Sequence, residues 1–152
     1  MACRSLDKAQ TAREQIIKLT KCKQNKVIVL HLDLSNFKSV KHFVNEFQEL
    51  KLPLHTLINN AGVMMSSRQE TEHGLEKVFT VNYLSHFYLS NLLLPELEKT
   101  GGRIINLAST MHKILRNFNF DDVMSERSYS LFGTYAQSKL AMILFAKELQ
   151  KR

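Results

Sequence analysis

Tyr135 and Lys139 stand four residues apart. On a helix that spacing puts both side chains on one face, about 6 Å apart along the axis. A free phenol is a poor acid or base near neutral pH, and a neighbouring ammonium favours its phenolate form. Such a pair can exchange a proton with a substrate oxygen. Y-x-x-x-K by itself arises by chance in many helices, so it carries weight only in company. Ser109, in Ala108-Ser109-Thr110, offers a hydroxyl that can donate to a carbonyl oxygen gaining negative charge. Asn59-Asn60-Ala61-Gly62 is more specific, because small residues and a glycine let the backbone approach a ligand closely. Asn82 lies in the otherwise apolar run Val81-Asn82-Tyr83-Leu84. A buried amide needs partners, so Asn82 is either a satisfied structural group or part of a site.

These residues need a frame, and the apolar pattern supplies one. Residues 6 to about 22 read as a weakly amphipathic helix, with Leu6, Ala9, Ile16 and Ile17 as its apolar positions. Residues 26–33 (KVIVLHLD) form a β-branched run expected as a strand. Phe37, Val40, Phe43, Val44, Phe47 and Leu50 repeat at helical spacing, with Ser35 or Asn36 as the cap. Residues 54–58 are a second apolar strand, running into the Asn-Asn-Ala-Gly turn. A helix is expected from about 74 to 99, apolar on most sides around Phe87 to Leu94 and therefore buried on more than one face. Gly101-Gly102 leads into a strand at 103–107, residues 110–132 read as a long loop, and 133–152 as a last helix. In that helix Leu140, Ile143, Leu144 and Leu149 mark the expected apolar side.

Strands alternating with helices of this length indicate an α/β fold with a parallel sheet. In such sheets ligands sit beyond the carboxyl ends of the strands. Asp33, Asn59 to Gly62 and Ser109 all follow strands, which points to a cofactor cleft there.

Bulk properties narrow the field. The chain has 152 residues, 44% of them hydrophobic and 23% charged, enough apolar surface for one folded domain over 1–152. Twenty-one basic against fourteen acidic residues leave a formal charge of +7. The basic residues are scattered, and the aromatic interleaving of RNA-binding modules is absent, so nucleic acid is not an expected partner. Cys3 and Cys22 have neither metal-ligand spacing nor a disulfide framework, and no metal site is expected. No stretch approaches the roughly 18 apolar residues that span a bilayer.

Taken together, N-N-A-G, then V-N, then I-N-L-A-S, then Y-A-Q-S-K, in that order and at these element ends, resemble the short-chain dehydrogenase/reductases over essentially the whole chain. The segments Leu54 to Met64 and Tyr135 to Ala141 look most like the retinol-dehydrogenase-like branch. The resemblance implies a catalytic set of Tyr135, Lys139, Ser109 and Asn82. Tyr135 would be the acid/base, Lys139 would tune it and bond the nicotinamide ribose, and Ser109 would hold the substrate oxygen. Asn82 would support a proton relay through a water near Lys139. Asn59, Ala61 and Gly62 would line the cofactor, with Asp33 beside the adenine. Arg4 stands where that branch places an arginine at the end of its second strand. A guanidinium there pairs with the 2′-phosphate of NADP, so NADP is expected ahead of NAD. Nucleotide-sugar epimerases share Y-x-x-x-K, but N-N-A-G and V-N-Y-L-S-H-F resemble the dehydrogenases.

The family's opening strand and its glycine-rich phosphate-binding turn have no counterpart in this sequence. Residues 1–4 resemble the end of a second strand, so Met1 matches an internal position of longer relatives. The expected fold is therefore a partial Rossmann-type doubly wound parallel sheet with helices on both faces, lacking the first strand and the Gly-rich loop. In the strand order 3-2-1-4-5-6 that strand is central, and without it the strands near 1–4 and 26–33 lose their partner toward 54–58. Such a chain on its own is expected to be marginal or unfolded and not to bind NADP tightly. The resemblance implies an oxidoreductase interconverting an apolar alcohol and its carbonyl, of retinoid, steroid or polyprenol type. In a full-length form it implies a homo- or heterodimer through the long helices, at the endoplasmic reticulum membrane or in the cytoplasm. The alternative expectation is a catalytically inactive product acting as an interaction or regulatory protein.

Overall fold

The computed structural model describes residues 1–151. The chain opens with strand β1 (Ala2–Cys3) and helix α1 (Leu6–Thr20), continues through β2 (Leu30–His31) and α2 (Phe37–Glu49), and reaches β3 (Thr56–Asn59). A short helix α3 (Lys77–Phe79), a π-helical turn (Thr80–Leu84) and α4 (Ser85–Glu98) follow without a break. Strand β4 (Arg103–Asn106), a 3-10 turn (Thr110–Ile114) and α5 (Leu131–Leu149) complete it.

Local chemistry sets the helix ends. Asn36 caps α2, its Oδ1 accepting from the amides of Lys38 at 2.8 Å and Ser39 at 3.2 Å. Ser130 caps α5 by accepting from the Gly133 amide at 3.2 Å. Lys21, left-handed at φ 54, ends α1. Glu76 caps α3 from a fully buried position, its two oxygens accepting from Val78 N at 2.8 Å and Phe79 N at 2.6 Å.

The strands form two separate parallel pairs. β1 pairs with β2 (Ala2 with Leu30, Cys3 with His31), and β3 pairs with β4 from Thr56–Arg103 to Asn59–Asn106. No ladder joins the two pairs among the described residues. A cleft lies between them instead, walled by Ala2, Cys3 and Arg4 on one side and Leu57 to Gly62 on the other. This is the interruption expected when the central strand of the order 3-2-1-4 has no counterpart. The core that holds the pairs together comes from the helices: Val40, Phe43 and Val44 of α2 pack with Leu89 and Leu93 of α4, Val81, and Leu32 and Leu34 beyond β2. On the far side of β3 and β4 the apolar side chains are not covered, and Ile58 is 57% and Ile105 41% exposed.

Several expectations are corrected. The strand at 26–33 contracts to Leu30–His31, with a 3-10 turn at Gln24–Lys26. Only β1 supplies it with a ladder, so backbone beyond those two residues has no strand to pair with. The helix expected from 74 starts at Lys77, where Glu76 caps it, and its π-helical turn was not foreseen. The expected 110–132 loop begins as a 3-10 turn, and α5 starts at Leu131. On α5 the buried face is Ala136 to Lys139, Ala141, Met142 and Phe145, whereas Leu144 is 45% exposed. A helix apolar nearly all round has no preferred side of its own, and the burial of Ser138 and Lys139 decides which side turns inward. Position 152 lies outside the described residues.

Candidate active site

The turn after β3, the π-helical turn and α5 converge on Lys139. Its side chain is buried at 4% exposure, and Nζ donates to the backbone oxygen of Leu107, just past β4, at 3.0 Å. Burial disfavours the ammonium and holds the pKa of Lys139 below the usual lysine value. The Tyr135 ring is one turn earlier on α5, its centroid 5.7 Å from Lys139 Nζ. The face predicted from the four-residue spacing is therefore formed. Tyr135 is half-buried, and its hydroxyl makes no hydrogen bond among the described residues.

The Asn82 side chain braces two elements of the site. Its Oδ1 accepts from Val63 N at 2.7 Å, and its Nδ2 donates to Val63 O at 2.9 Å and to Ser138 Oγ at 3.0 Å. Every polar atom of the amide is spent on binding the 59–63 turn and α5 to each other. Gly62 sits against this junction: a Cβ there would lie 3.3 Å from Lys139 Nζ and 3.5 Å from Asn82 Oδ1. A side chain here would crowd Lys139 and Asn82, a close approach within the protein.

Asn59 is also buried. Its Nδ2 donates to Ser90 Oγ at 2.9 Å and Asn106 Oδ1 at 2.8 Å, clamping β3 to α4 and β4. Its Oδ1 is buried without a partner, on the wall of the cleft. The same cleft is lined by Arg4, Asp33, Ala61 and Gly62. Arg4 and Asp33 follow β1 and β2, so both lie at the carboxyl ends of their strands. Asp33 Oδ1 is engaged by its own turn, accepting from Ser35 N at 2.8 Å and Ser35 Oγ at 2.7 Å. Of the seven residues expected along a cofactor, these five share one cleft, and Tyr135 and Lys139 are not among its lining residues.

Ser109 caps the 3-10 turn, its Oγ accepting from Met111 N at 3.2 Å. That turn packs on α5, the helix that carries Tyr135. No hydrogen bond links the two side chains among the described residues. Sequence reasoning missed Ser138, the Leu107 carbonyl, Ser90, Glu76 and His86. His86 alone left a signal, a polar residue one turn after Asn82 in an apolar run.

Comparison with known proteins identifies the family. The family model for short chain dehydrogenases matches residues 1–152. The chain belongs to the short-chain dehydrogenase family. It is 44% identical over 132 residues to a polyprenol dehydrogenase of Homo sapiens, covering 84% of this chain and 40% of that protein. It is 43% identical over 153 residues to retinol dehydrogenase 11 of Mus musculus, covering 100% of this chain and 48% of that one. The chain thus spans less than half the length of these relatives. Among solved structures, an uncharacterized protein from Mycobacterium Paratuberculosis superposes with a TM-score of 0.80 at 34% identity, over 100% of this chain and 52% of the other. An alcohol dehydrogenase from Thermococcus sibiricus, complexed with 5-hydroxy-NADP, shares the fold with a TM-score of 0.71 at 23% identity, over 99% of this chain and 58% of the other.

Proposed function

We propose that this chain carries the catalytic residues and part of the cofactor cleft of an NADP-dependent oxidoreductase that interconverts an apolar alcohol and its carbonyl. The observation that carries the reading is the junction at Lys139: a buried lysine beside Tyr135, closed by Gly62 and braced by Asn82. The names of the relatives favour a polyprenol- or retinol-like alcohol.

The residues fit a nicotinamide dinucleotide. The unpartnered Oδ1 of Asn59 offers a buried acceptor on a cleft wall that Ala61 and Gly62 share. Arg4 would hold a 2′-phosphate, Asp33 the adenine end, and Asn59, Ala61 and Gly62 the middle of the molecule. Bound there, the cofactor supplies the hydride acceptor or donor. Tyr135 takes the proton from the substrate hydroxyl on oxidation and returns it on reduction. Lys139 stabilises the phenolate formed at Tyr135 Oη and bonds the ribose. Ser109 donates to the substrate oxygen. Asn82 keeps Gly62 and Lys139 in register and would support a proton relay through a water near Lys139.

The test uses the protein as its cells make it, with NADPH or NADH and a retinoid, a steroid or a polyprenol aldehyde. NADPH consumption with one of these carbonyls supports the proposal. Absence of both turnover and NADPH binding rejects it. Arg4→Ala should weaken NADPH roughly tenfold, the worth of one charged hydrogen bond, and leave NADH unchanged. Tighter NADH binding by the unaltered protein would reject the NADP preference.

A second reading rests on a separate observation, the apolar surface left open at Ile58, Ile105, Phe87, Phe132 and Leu144. It makes the chain an interaction protein that pairs with a related dehydrogenase through α4 and α5. Co-purification with such a partner, without turnover, would favour it. The same helices are the proposed contact of a homodimer. No helix among the described residues is long and apolar enough to cross a membrane. Association with the endoplasmic reticulum or residence in the cytoplasm is a matter for fractionation of the native protein.

A further inference from the structure

The buried imidazole of His86 has no part in the chemistry above. It is 3% exposed and stands one helical turn after Asn82, just past the π-helical turn. Its Nδ1 lies 3.1 Å from the backbone oxygen of Asn82. A carbonyl carries no proton, so this contact is a hydrogen bond only when the proton sits on Nδ1. Burial lowers the pKa of the ring, the hydrogen bond to the Asn82 carbonyl opposes this, and the charge of Lys139 lowers it further. The resident form is thus the neutral ring with Nδ1–H. His86 lines the cleft together with Asn59 to Gly62.

From His86 a continuous set of bonds runs into the site. His86 holds the Asn82 backbone, the Asn82 side chain holds Val63 on both its amide and its carbonyl, and the same side chain reaches Ser138, next to Lys139. The backbone at Asn82 belongs to a π-helical turn, a rare form that occurs mostly as a single turn within an α-helix. The His86 ring bonds its carbonyl from the first turn of α4.

We propose that His86 is a positioning residue of this centre, anchoring the Asn82 carbonyl so that the Asn82 side chain keeps the 59–63 turn tied to α5. The inference rests on the oxidoreductase reading only for its effect on turnover. Helix α4 contains its own comparison: Asn91 Nδ2 donates to the Phe87 carbonyl, four residues back, at 2.7 Å. An asparagine on this helix can therefore make the bond that His86 makes. Core filling needs no donor, whereas an anchor does.

His86→Leu and His86→Asn separate the two roles, in the protein as its cells make it. The readout is amide hydrogen exchange at Val63, whose N–H is bonded to Asn82 Oδ1 at 2.7 Å. His86→Leu should speed exchange at Val63 about tenfold while amides late in α4 keep their protection, and His86→Asn should restore it. Where turnover is measurable, kcat should follow the same order, falling about tenfold in His86→Leu with KM for the alcohol unchanged. Unaltered Val63 protection in His86→Leu overturns the proposal, as does an asparagine that fails to restore it. If the leucine variant does not fold, His86→Asn decides alone: native protection at Val63 supports the anchor and its loss overturns it. Exchange needs no cofactor, so an unaltered protein without turnover would sink the oxidoreductase reading and leave this test standing.

Discussion

Asn82 Nδ2 donates to Ser138 Oγ at 3.0 Å, joining the π-helical turn to α5 across 56 residues of chain. Ser138 passes the restraint on, its hydroxyl donating to the Tyr135 carbonyl at 2.7 Å. One amide thereby sets the position of the helix face that carries both Tyr135 and Lys139.

Tyr135→Phe separates chemistry from folding. The hydroxyl has no hydrogen-bond partner among the described residues, so its loss should change stability by less than about 0.5 kcal/mol. Turnover should fall by roughly 10²- to 10⁴-fold, the usual worth of a positioned acid/base. Steady-state kinetics beside urea unfolding check both halves. A variant that keeps near-native turnover would remove Tyr135 from the mechanism.

Gly62→Ala tests the close approach. The new Cβ would lie 3.3 Å from Lys139 Nζ, the end of a flexible chain that can yield. The stability cost should therefore be about 1 kcal/mol, the low end for overpacking. The displaced ammonium would leave the Leu107 carbonyl, and NADPH affinity and kcat should each fall roughly tenfold or more. Equilibrium titration with NADPH reads the first and initial rates the second.

Gly102→Ala should behave in the opposite way. Its Cβ would lie 2.8 Å from Leu97 Cδ2 and 3.0 Å from the backbone oxygens of His55 and Leu54, and backbone cannot step aside. A loss of about 1–3 kcal/mol is expected, seen as a lower urea midpoint. The position is remote from the cleft, so activity per folded molecule should hold.

The pH dependence of stability follows from His86. Its folded pKa lies below the ordinary value of 6.5, first because of burial. Between those two values the unfolded chain binds more protons, so stability rises with pH. The contribution is complete above about 6.5 and is lost as pH falls through the lowered folded pKa. Urea midpoints measured from neutral pH downward should show this slope, and His86→Asn should flatten it. Asp122 is separable, because the three amides of Glu126, Arg127 and Ser128 on its carboxylate hold its pKa below the usual 3.8, a lower window. An unchanged slope in His86→Asn would assign the acid sensitivity elsewhere.

Much of this protein is legible before folding is considered. Helix α2 follows from Phe37, Val40, Phe43, Val44 and Phe47 with Asn36 in front, because helical periodicity and capping are properties of a few neighbouring residues. The pairing of Tyr135 with Lys139 is local for the same reason. Gly62 and the strand-end placement of Arg4, Asp33 and Asn59 are readable from type and position alone. The family, too, is carried by motifs whose order survives in the chain.

Other features depend on contacts between distant residues. Strand length is one: β2 extends only as far as β1 accompanies it, and a ladder is a bond between segments rather than a property of one. Asn82 is another, since its sequence setting demanded partners without naming Val63 and Ser138. The inward face of α5 was chosen by the polar groups of Ser138 and Lys139 finding Asn82 and the Leu107 carbonyl, against a nearly uniform apolar surface that leaves Leu144 exposed. The sequence alone determined which chemical groups are available and which neighbours share a helical face. Tertiary structure decided which buried polar atoms meet, because each must find a partner at about 3 Å and only the folded chain brings the candidates together.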